Sequence, residues 1–128
     1  LVEARRSLGE RYGKVLSGLP LILPVEKEGV KNVYWMYGVV LDDSVKKSKE
    51  EVMEQLKEKG VDTRSFFIPM HKQPVYVEKT VENAPDCSGE SPIAAWLGDR
   101  GFYLPSSSDI TDEEIETVGK ALKDVLEV

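Results

Sequence analysis

The sequence predicts an α/β fold in which a small sheet packs with helices. Amphipathic segments of helical period open and close the chain, and short runs rich in β-branched and aromatic residues lie between them. Two capping-box patterns, Ser48 with Glu51 and Thr111 with Glu114, mark the starts of helices. In chain order the elements are helix, strand, helix, strand, short helix, strand and helix. This order is typical of an α/β sandwich with few strands.

The first part of the chain predicts a long helix followed by a buried strand. Gly18 and Pro20 end the helix by the usual glycine-then-proline stop. Its apolar positions recur at three- and four-residue steps: Leu1, Ala4, Leu8, Tyr12, Val15, Leu16 and Leu19. Residues 21–25 form a short extended piece. Residues 33–41, VYWMYGVVL, are apolar at both alternating sets of positions, which indicates a strand covered on both faces.

The middle of the chain predicts a helix that leads into a second strand. The first capping box starts the helix at Lys49, and Gly60 ends it. Val61, just past that glycine, is placed to make the apolar contact that accompanies a glycine C-cap. Residues 61–68 are rich in β-branched and aromatic types and predict a strand. Pro69 ends it, because proline cannot donate to a sheet ladder.

The last part predicts a short helix, a brief strand and a final helix. Ser91 is a good N-cap and Pro92 a good first residue for the short helix. Residues 102–104 predict the strand. Ile110 and Ile115 flank the start of the final helix as a hydrophobic staple. One stripe of that helix is apolar: Ile115, Val118, Leu122, Val125 and Leu126.

Size and charge exclude several classes of function. With 128 residues the chain predicts one domain, and a net charge of −6 opposes binding to nucleic acid. One histidine and one cysteine, Cys87, are too few for a convincing zinc site or an internal disulfide, and the lone cysteine favours a reducing cytoplasmic location. No apolar run is long enough to span a bilayer. The chain begins at Leu1 rather than methionine, from which we expect sequence upstream.

The segment 61–76, VDTRSFFIPMHKQPVY, concentrates the candidate functional residues. Residues 70–73 predict an exposed loop at the end of a strand, where binding residues are common. Arg64 suits either a carboxylate or phosphate ligand or a surface ion pair. His71 suits a proton shuttle, a hydrogen-bond donor, a metal ligand or a structural role. Residues 77–90, which follow, contain few apolar side chains and predict irregular structure.

Three other groups have simpler structural interpretations. Tyr34, Trp35 and Tyr37 lie in a continuous apolar run, which favours core packing over stacking on a base or sugar. The acidic residues of 109–116 lack the spacing of a calcium loop and suit helix capping. Residues 106–108 are serines, but no G-x-S-x-G elbow supports a hydrolase.

Several stretches resemble the DegT/DnrJ/StrS family of sugar aminotransferases. The TRSFFIPMHKQP run is similar to the motif T-R-P-F-F-x-P-M-H-x-Q-P of the GDP-perosamine synthase branch, with Ser65 in place of a proline. The matching stretches follow the family's order: ARRSLGERYGKVLSGL, NVYWMYGVVL, KEKGVDTR, SPIAAWLGDRGFYLP and GFYLPSSSDITDEEIE.

The resemblance implies a fold, a cofactor and a set of site residues. It implies the C-terminal small domain of a fold-type I pyridoxal phosphate enzyme over residues 1–128, with a small, mostly antiparallel sheet. The cofactor and its Schiff-base lysine would lie in a large domain absent from this chain, so no catalytic lysine is expected here. Glutamate would donate an amino group to a keto nucleotide-sugar. The expected substrate contacts, in positioning roles, are Arg64, Phe67, Met70, His71 and Gln73.

Two functions follow from this interpretation. The first is the small domain of a nucleotide-sugar aminotransferase, inactive alone, whose partner is the large pyridoxal phosphate domain. The alternative is a free-standing binding module derived from such a domain, which would self-associate through an uncovered apolar face.

Overall fold

The computed structural model describes residues 1–78, 82–83 and 85–128. Within these residues the chain forms helices, short strands and one 3-10 turn. In order they are α1 (Val2–Val15), β1 (Leu21–Ile22), β2 (Tyr37–Leu41), α2 (Lys49–Glu58), β3 (Arg64–Ser65), the 3-10 turn (Met70–Lys72), α3 (Pro74–Val77), α4 (Pro92–Arg100), β4 (Gly101–Leu104) and α5 (Asp112–Leu126). The predicted α/β class is confirmed.

The strands form one antiparallel sheet with the order β1-β2-β4-β3. β2 and β4 are its centre, where Tyr37 pairs with Leu104 and Val39 pairs with Phe102. β3 is an edge strand on β4, with Arg64 opposite Tyr103. Residues directly opposite one another share a face, so this register assigns every strand residue to one side of the sheet.

One side, the helical face, carries the hydrophobic core. Its sheet residues are Tyr37, Val39, Leu41, Phe102 and Leu104, all buried. α1, α2 and α5 cover them, and α5 contacts both other helices. The helices contribute Leu8, Tyr12, Val52, Leu56, Ile115, Val118, Leu122 and Val125 to the same cluster. This face is therefore completed within the chain.

The other side, the open face, carries Gly38, Val40, Gly101, Tyr103 and Arg64. Phe66 covers its centre. A Cβ atom built on Gly38 would lie 2.9 Å from the Phe66 ring, and one built on Gly101 would overlap that ring. α4 packs beside β2 and β4. β2 is thus buried on both faces, as its two-sided apolar pattern predicted.

The predicted start and end of α2 and the predicted start of α5 are confirmed in detail, whereas α1 ends at Val15, before the predicted stop at Gly18 and Pro20. Ser48 and Thr111 both form complete capping boxes, with Glu51 and Glu114. Gly60 has a φ of 81° and its N–H donates to Lys57, while the Val61 N–H donates to Leu56 over 2.9 Å. These are the two hydrogen bonds of a Schellman motif, and the buried Val61 and Leu56 supply its apolar contact.

The strand predicted for 33–41 is too long, because only Tyr37–Leu41 pairs. The residues before it bond elsewhere: the Asn32 side chain accepts from the Tyr34 N–H, and Arg5 donates to the Tyr34 and Trp35 carbonyls. The Tyr34 N–H is thus used by a side chain and is no longer available to a ladder, and the two carbonyls have side-chain donors as partners. Core packing is confirmed for Tyr37 and, in part, for Tyr34, but it is wrong for Trp35, which is 65% exposed.

Three further expectations need correction. The strand predicted for 61–68 pairs only over Arg64–Ser65, because Phe66 turns onto the open face after its N–H reaches Gly101. Residues 70–73 form a 3-10 turn rather than a plain loop. Ser91 occupies the N-cap position of α4 but makes no side-chain capping bond.

The interpretation of 77–90 as irregular is correct for most of the described part, since 82–83 and 85–90 contain no helix or strand. The unpredicted helix α3 ends inside this range, at Val77. Residues 79–81 and 84 lie outside the described residues.

Candidate functional site

Arg64 lies at the edge of the open face on β3. Its backbone pairs with Tyr103, and its side chain is exposed. Across the described parts of the chain, no residue forms a hydrogen bond or ion pair with its guanidinium. The surface ion pair considered from sequence is therefore not observed there. An unpaired guanidinium beside an aromatic wall suits a carboxylate or phosphate oxygen.

Phe67 follows two residues after β3 and remains on the same edge. Its ring is 66% exposed and lies 5.8 Å from the Tyr103 ring, centroid to centroid. The Phe66 ring, by contrast, lies tilted at 4.6 Å from the Tyr103 ring, centroid to centroid, and covers Gly38 and Gly101. The two adjacent phenylalanines therefore have different roles. Phe66 covers the sheet, and the Phe67 side chain is exposed at the surface.

Met70, His71 and Gln73 belong to the 3-10 turn and its end. The turn is held from both sides: the Gln73 side-chain amide donates to the Ile68 carbonyl over 2.9 Å, and Lys72 pairs with Asp99 of α4 at 3.0 Å. Gln73 is therefore an internal brace as well as a predicted contact residue. Met70 is exposed and His71 is half-buried.

Four of the five predicted site residues divide between two surface depressions, and Gln73 lines neither of them. The first, the Trp35 cleft, consists of two adjoining hollows that share Trp35, Met36, Arg64 and Tyr103. Phe67 lines one of them. The second, the His71 depression, contains Met70 and His71, and its other lining residues include Asp86, Cys87, Ser91 and Ala94. Arg64 and Phe67 are thus together, Met70 and His71 are together, and the two pairs do not line a common hollow.

Two residues that line these depressions, Trp35 and Cys87, are not among the substrate contacts that the resemblance implies. The apolar neighbours of Trp35 predict a core position, but the preceding Asn32, a common turn-forming residue, is a local signal that the strand starts later. No local signal relates Cys87 to His71, which is sixteen residues away in the sequence. The serines of 106–107 line the Trp35 cleft and not the His71 depression, so the hydrolase triad is not assembled.

The electrostatics of the Trp35 cleft favour binding over proton transfer. Burial raises the pKa of the Tyr103 phenol, and a hydrogen bond with the Phe67 backbone opposes this increase. The phenol therefore stays neutral at ordinary pH and offers a hydroxyl group. Arg5, Arg64 and Asp62 are the charged residues that line the cleft. Arg5 is already bonded to backbone carbonyls, which leaves Arg64 as the cation free to meet an anion among the residues described.

The resemblance implies pyridoxal phosphate as cofactor, and the buried lysine of the described residues does not fit as its anchor. A lysine that forms an imine needs a free amino group directed into a cavity. The buried lysine of the described structure, Lys49, is 7% exposed, donates to the Gly98 carbonyl over 2.6 Å and approaches Glu50 at 3.5 Å. It joins α2 to α4 and does not fit that requirement. The expectation that the cofactor's lysine lies outside this chain stays a prediction.

None of the described helices is long and apolar enough to cross a membrane.

Comparison with known proteins gives relatives of consistent type. GDP-perosamine synthase of Vibrio cholerae is 26% identical over 96% of this chain and 32% of its own length. The dTDP-4-dehydro-2,3,6-trideoxy-D-glucose 4-aminotransferase of Saccharopolyspora spinosa is 27% identical over 98% of this chain and 30% of its own length. The chain thus spans about a third of the length of the curated relatives it matches.

Among solved structures, the putative sugar aminotransferase Spr1654 of Streptococcus pneumoniae superposes with a TM-score of 0.84. That match covers 99% of this chain and 31% of the other, at 18% sequence identity, and therefore shows a shared fold. The model of the DegT/DnrJ/EryC1/StrS aminotransferase family matches residues 1–123, nearly the whole sequence. The chain belongs to the DegT/DnrJ/EryC1/StrS aminotransferase family.

Proposed function

We propose that this chain is the C-terminal small domain of a pyridoxal phosphate-dependent aminotransferase that transfers an amino group from glutamate to a keto nucleotide-sugar. The family match over residues 1–123 carries the proposal. The names of the relatives, which include a GDP-perosamine synthase and a dTDP-sugar aminotransferase, support a nucleotide-sugar substrate and leave the base and sugar open. The large cofactor domain is the partner of this chain in the complete enzyme.

The residues of this chain bind and orient substrate in this function. Arg64 pairs with a substrate phosphate, because its guanidinium is exposed and unpaired among the described residues. His71 donates a hydrogen bond from a turn that Lys72 and Gln73 brace. Phe67 and Met70 exclude water with their exposed apolar side chains. These are positioning roles, and the chain has no transamination activity alone.

The test has two parts. The full-length product of the gene that encodes this chain should convert a keto nucleotide-sugar to the amino sugar with glutamate as donor. The 128-residue chain, incubated with pyridoxal phosphate and then borohydride, should retain no cofactor on any lysine. A stoichiometric adduct at one lysine of the chain, or a full-length product with no amino transfer to GDP- or dTDP-linked keto sugars, contradicts the proposal.

A second candidate, self-association as a binding module, is favoured by one observation. Trp35, Phe67, Ile68 and Met70 are all large apolar side chains with more than half of their surface exposed, and Trp35 and Phe67 line one hollow. Patches of this kind mark interaction surfaces. Sedimentation of the chain over a wide concentration range distinguishes the two, since a strict monomer eliminates this candidate.

A further inference from the structure

We propose that the Trp35 cleft is the subsite for the base and diphosphate of the nucleotide-sugar, with Trp35 stacking on the base and Arg64 holding the diphosphate. This inference rests on the proposed function and adds a residue, Trp35, and a division of the ligand between two side chains. Four features of the cleft carry it: the exposure of Trp35, the contacts that hold its backbone, the unpaired Arg64, and the polar lining around them.

Trp35 is presented rather than buried. Its side chain is 65% exposed, and its indole nitrogen makes no hydrogen bond to any residue in the described ranges. The other tryptophan, Trp96, donates to the Asp43 carboxylate over 3.2 Å. An indole that is exposed to water and makes no hydrogen bond is unfavourable, and it gains free energy of burial when a ligand or partner covers it.

The loop before Trp35 is fastened to α1 by several contacts. Arg5 donates to the carbonyls of Tyr34 and Trp35, and the same guanidinium reaches the Ser106 carbonyl at 3.3 Å. The next residue of α1, Arg6, pairs with Glu26 at 2.6 Å. The Glu26 carboxylate also accepts a hydrogen bond from the Asn32 backbone N–H. These bonds hold the backbone that carries the indole in place. Ligand binding therefore loses little conformational entropy in ordering this loop.

Tyr34 adds a strained backbone to this arrangement. Its φ is 44°, in the left-handed region that a bulky residue rarely adopts. Its ring lies over Gly9 of α1, where a Cβ atom would come within 2.8 Å of it. The Tyr34 ring packs against Gly9 and Tyr37, while the next side chain, Trp35, is exposed. Strain of this kind is concentrated at ligand sites.

Arg64 and its neighbours supply the polar half of the cleft. The guanidinium has no partner among the described residues, and the hydroxyls of Thr63, Ser106 and Ser107 line the same hollow of about 540 Å³. Asp62 also lines it and opposes an anion, while Arg5 offsets that charge. The local balance is one net positive charge in a chain whose total is −6.

This combination selects a particular ligand class. An aromatic face that stacks on any base, next to a forked cation that pairs with phosphate, is the pattern by which proteins bind nucleotides without strong base preference. An uncharged apolar partner would leave Arg64 desolvated and unpaired, which is unfavourable. The cleft therefore fits a nucleoside diphosphate better than an apolar protein surface, and both GDP and dTDP should bind.

The test is an NMR titration of the ¹⁵N-labelled chain with GDP and, separately, with dTDP. The two indole N–H signals are assigned by Trp96→Phe, and Trp96 then serves as an internal control. The Trp35 indole signal should shift saturably with each nucleotide, and the Trp96 signal should not. Arg64→Ala should weaken binding by about tenfold or more, since a charge-assisted hydrogen bond is lost. Lys57→Ala, which removes an exposed cation on α2, should change nothing.

Two further variants isolate the stacking. Trp35→Ala, followed through the amide signals of Ser106 and Ser107, should weaken GDP binding by about tenfold or more, and Trp35→Phe should recover most of it. Inorganic pyrophosphate should compete with GDP and should not shift the Trp35 indole itself. A Trp35 signal that does not move in millimolar GDP overturns the inference, as does GDP binding that is insensitive to Trp35→Ala.

Failure of this inference is distinguishable from failure of the proposed function, because the titration requires no turnover. If GDP and dTDP leave Trp35 unchanged while the full-length product transaminates, the subsite assignment is wrong and the function stands. If the nucleotides bind as expected while the full-length product transfers no amino group, the subsite stands and the function is wrong.

Discussion

The two faces of the sheet differ in how far this chain completes them. On the helical face, α1, α2 and α5 close over Tyr37, Val39, Leu41, Phe102 and Leu104, and the core residues there are almost fully buried. On the open face, Phe66 covers the centre, while the edge carries an exposed Phe67 and an unpaired Arg64. Stability therefore belongs to the first face, and ligand binding, in our proposal, to the second.

The largest difference in stability is expected between two phenylalanines, one buried on the helical face and one exposed beside the open face. Phe102 has 0% exposure on the helical face, and Phe67 is 66% exposed. Phe102→Ala should lower the free energy of unfolding by about 3–5 kcal/mol, because it opens a cavity in the core. Phe67→Ala should change it by less than about 1 kcal/mol. Urea denaturation measures both, and equal losses would contradict the assignment of the two faces.

Because Phe66 covers the open face, a substitution beneath its ring should cause a smaller loss of folding stability. A Cβ atom at Gly101 would overlap the Phe66 ring and lie 2.6 Å from the Leu97 carbonyl oxygen. Gly101→Ala should therefore destabilise the fold by about 1–3 kcal/mol through overpacking. Gly13→Ala is the matched control: it lies in α1 with nothing within 4 Å, so the better helix former should stabilise by up to about 1 kcal/mol. A neutral Gly101→Ala would show that Phe66 is not held in place.

The N-cap residues of α5 and α4 should differ by about 1 kcal/mol in their contribution to the free energy of unfolding. Thr111 accepts from the Glu114 N–H at the start of α5, on the helical face. Ser91 occupies the same position on α4 but makes no capping bond. Thr111→Ala should cost about 1 kcal/mol in thermal or urea unfolding, and Ser91→Ala should cost close to nothing. The reverse order would mean that α4 depends on a Ser91 contact.

The smallest effect concerns the loop that presents Trp35. Hydrogen bonds from the Arg6 side chain, and then from the Asn32 backbone, lower the pKa of Glu26 from 4.5 to about 2. Because the folded pKa lies below the ordinary value, the stabilisation is present above about pH 4.5 and is lost as pH falls toward 2. The difference in unfolding free energy between the unaltered chain and Glu26→Gln should shrink over that range. The pair is on the surface, so the difference is small. A difference independent of pH would exclude a role of the Glu26 charge.

The helical face could be predicted well from sequence because its signals are local. Capping boxes, the Gly60 stop and the stripe of α5 need only neighbouring residues, and the capping boxes locate the first residues of α2 and α5 correctly. The open face depends on contacts between distant residues. Arg5 and the Trp35 carbonyl are thirty positions apart, and the pattern of 33–36 alone indicates a buried strand. α3 does have a local signal, because Pro74 stands at its first position.

The most direct measurement of the central claim follows the two halves of transamination separately in the full-length gene product. Arg64→Ala and His71→Ala should slow the reaction with the keto nucleotide-sugar by about tenfold or more, since each removes a hydrogen bond to substrate. The reaction with glutamate should keep its rate, because neither residue contacts the amino acid in our proposal. Equal slowing of both halves, or no effect on either, would contradict the assignment of the open face and its adjoining turn to substrate binding.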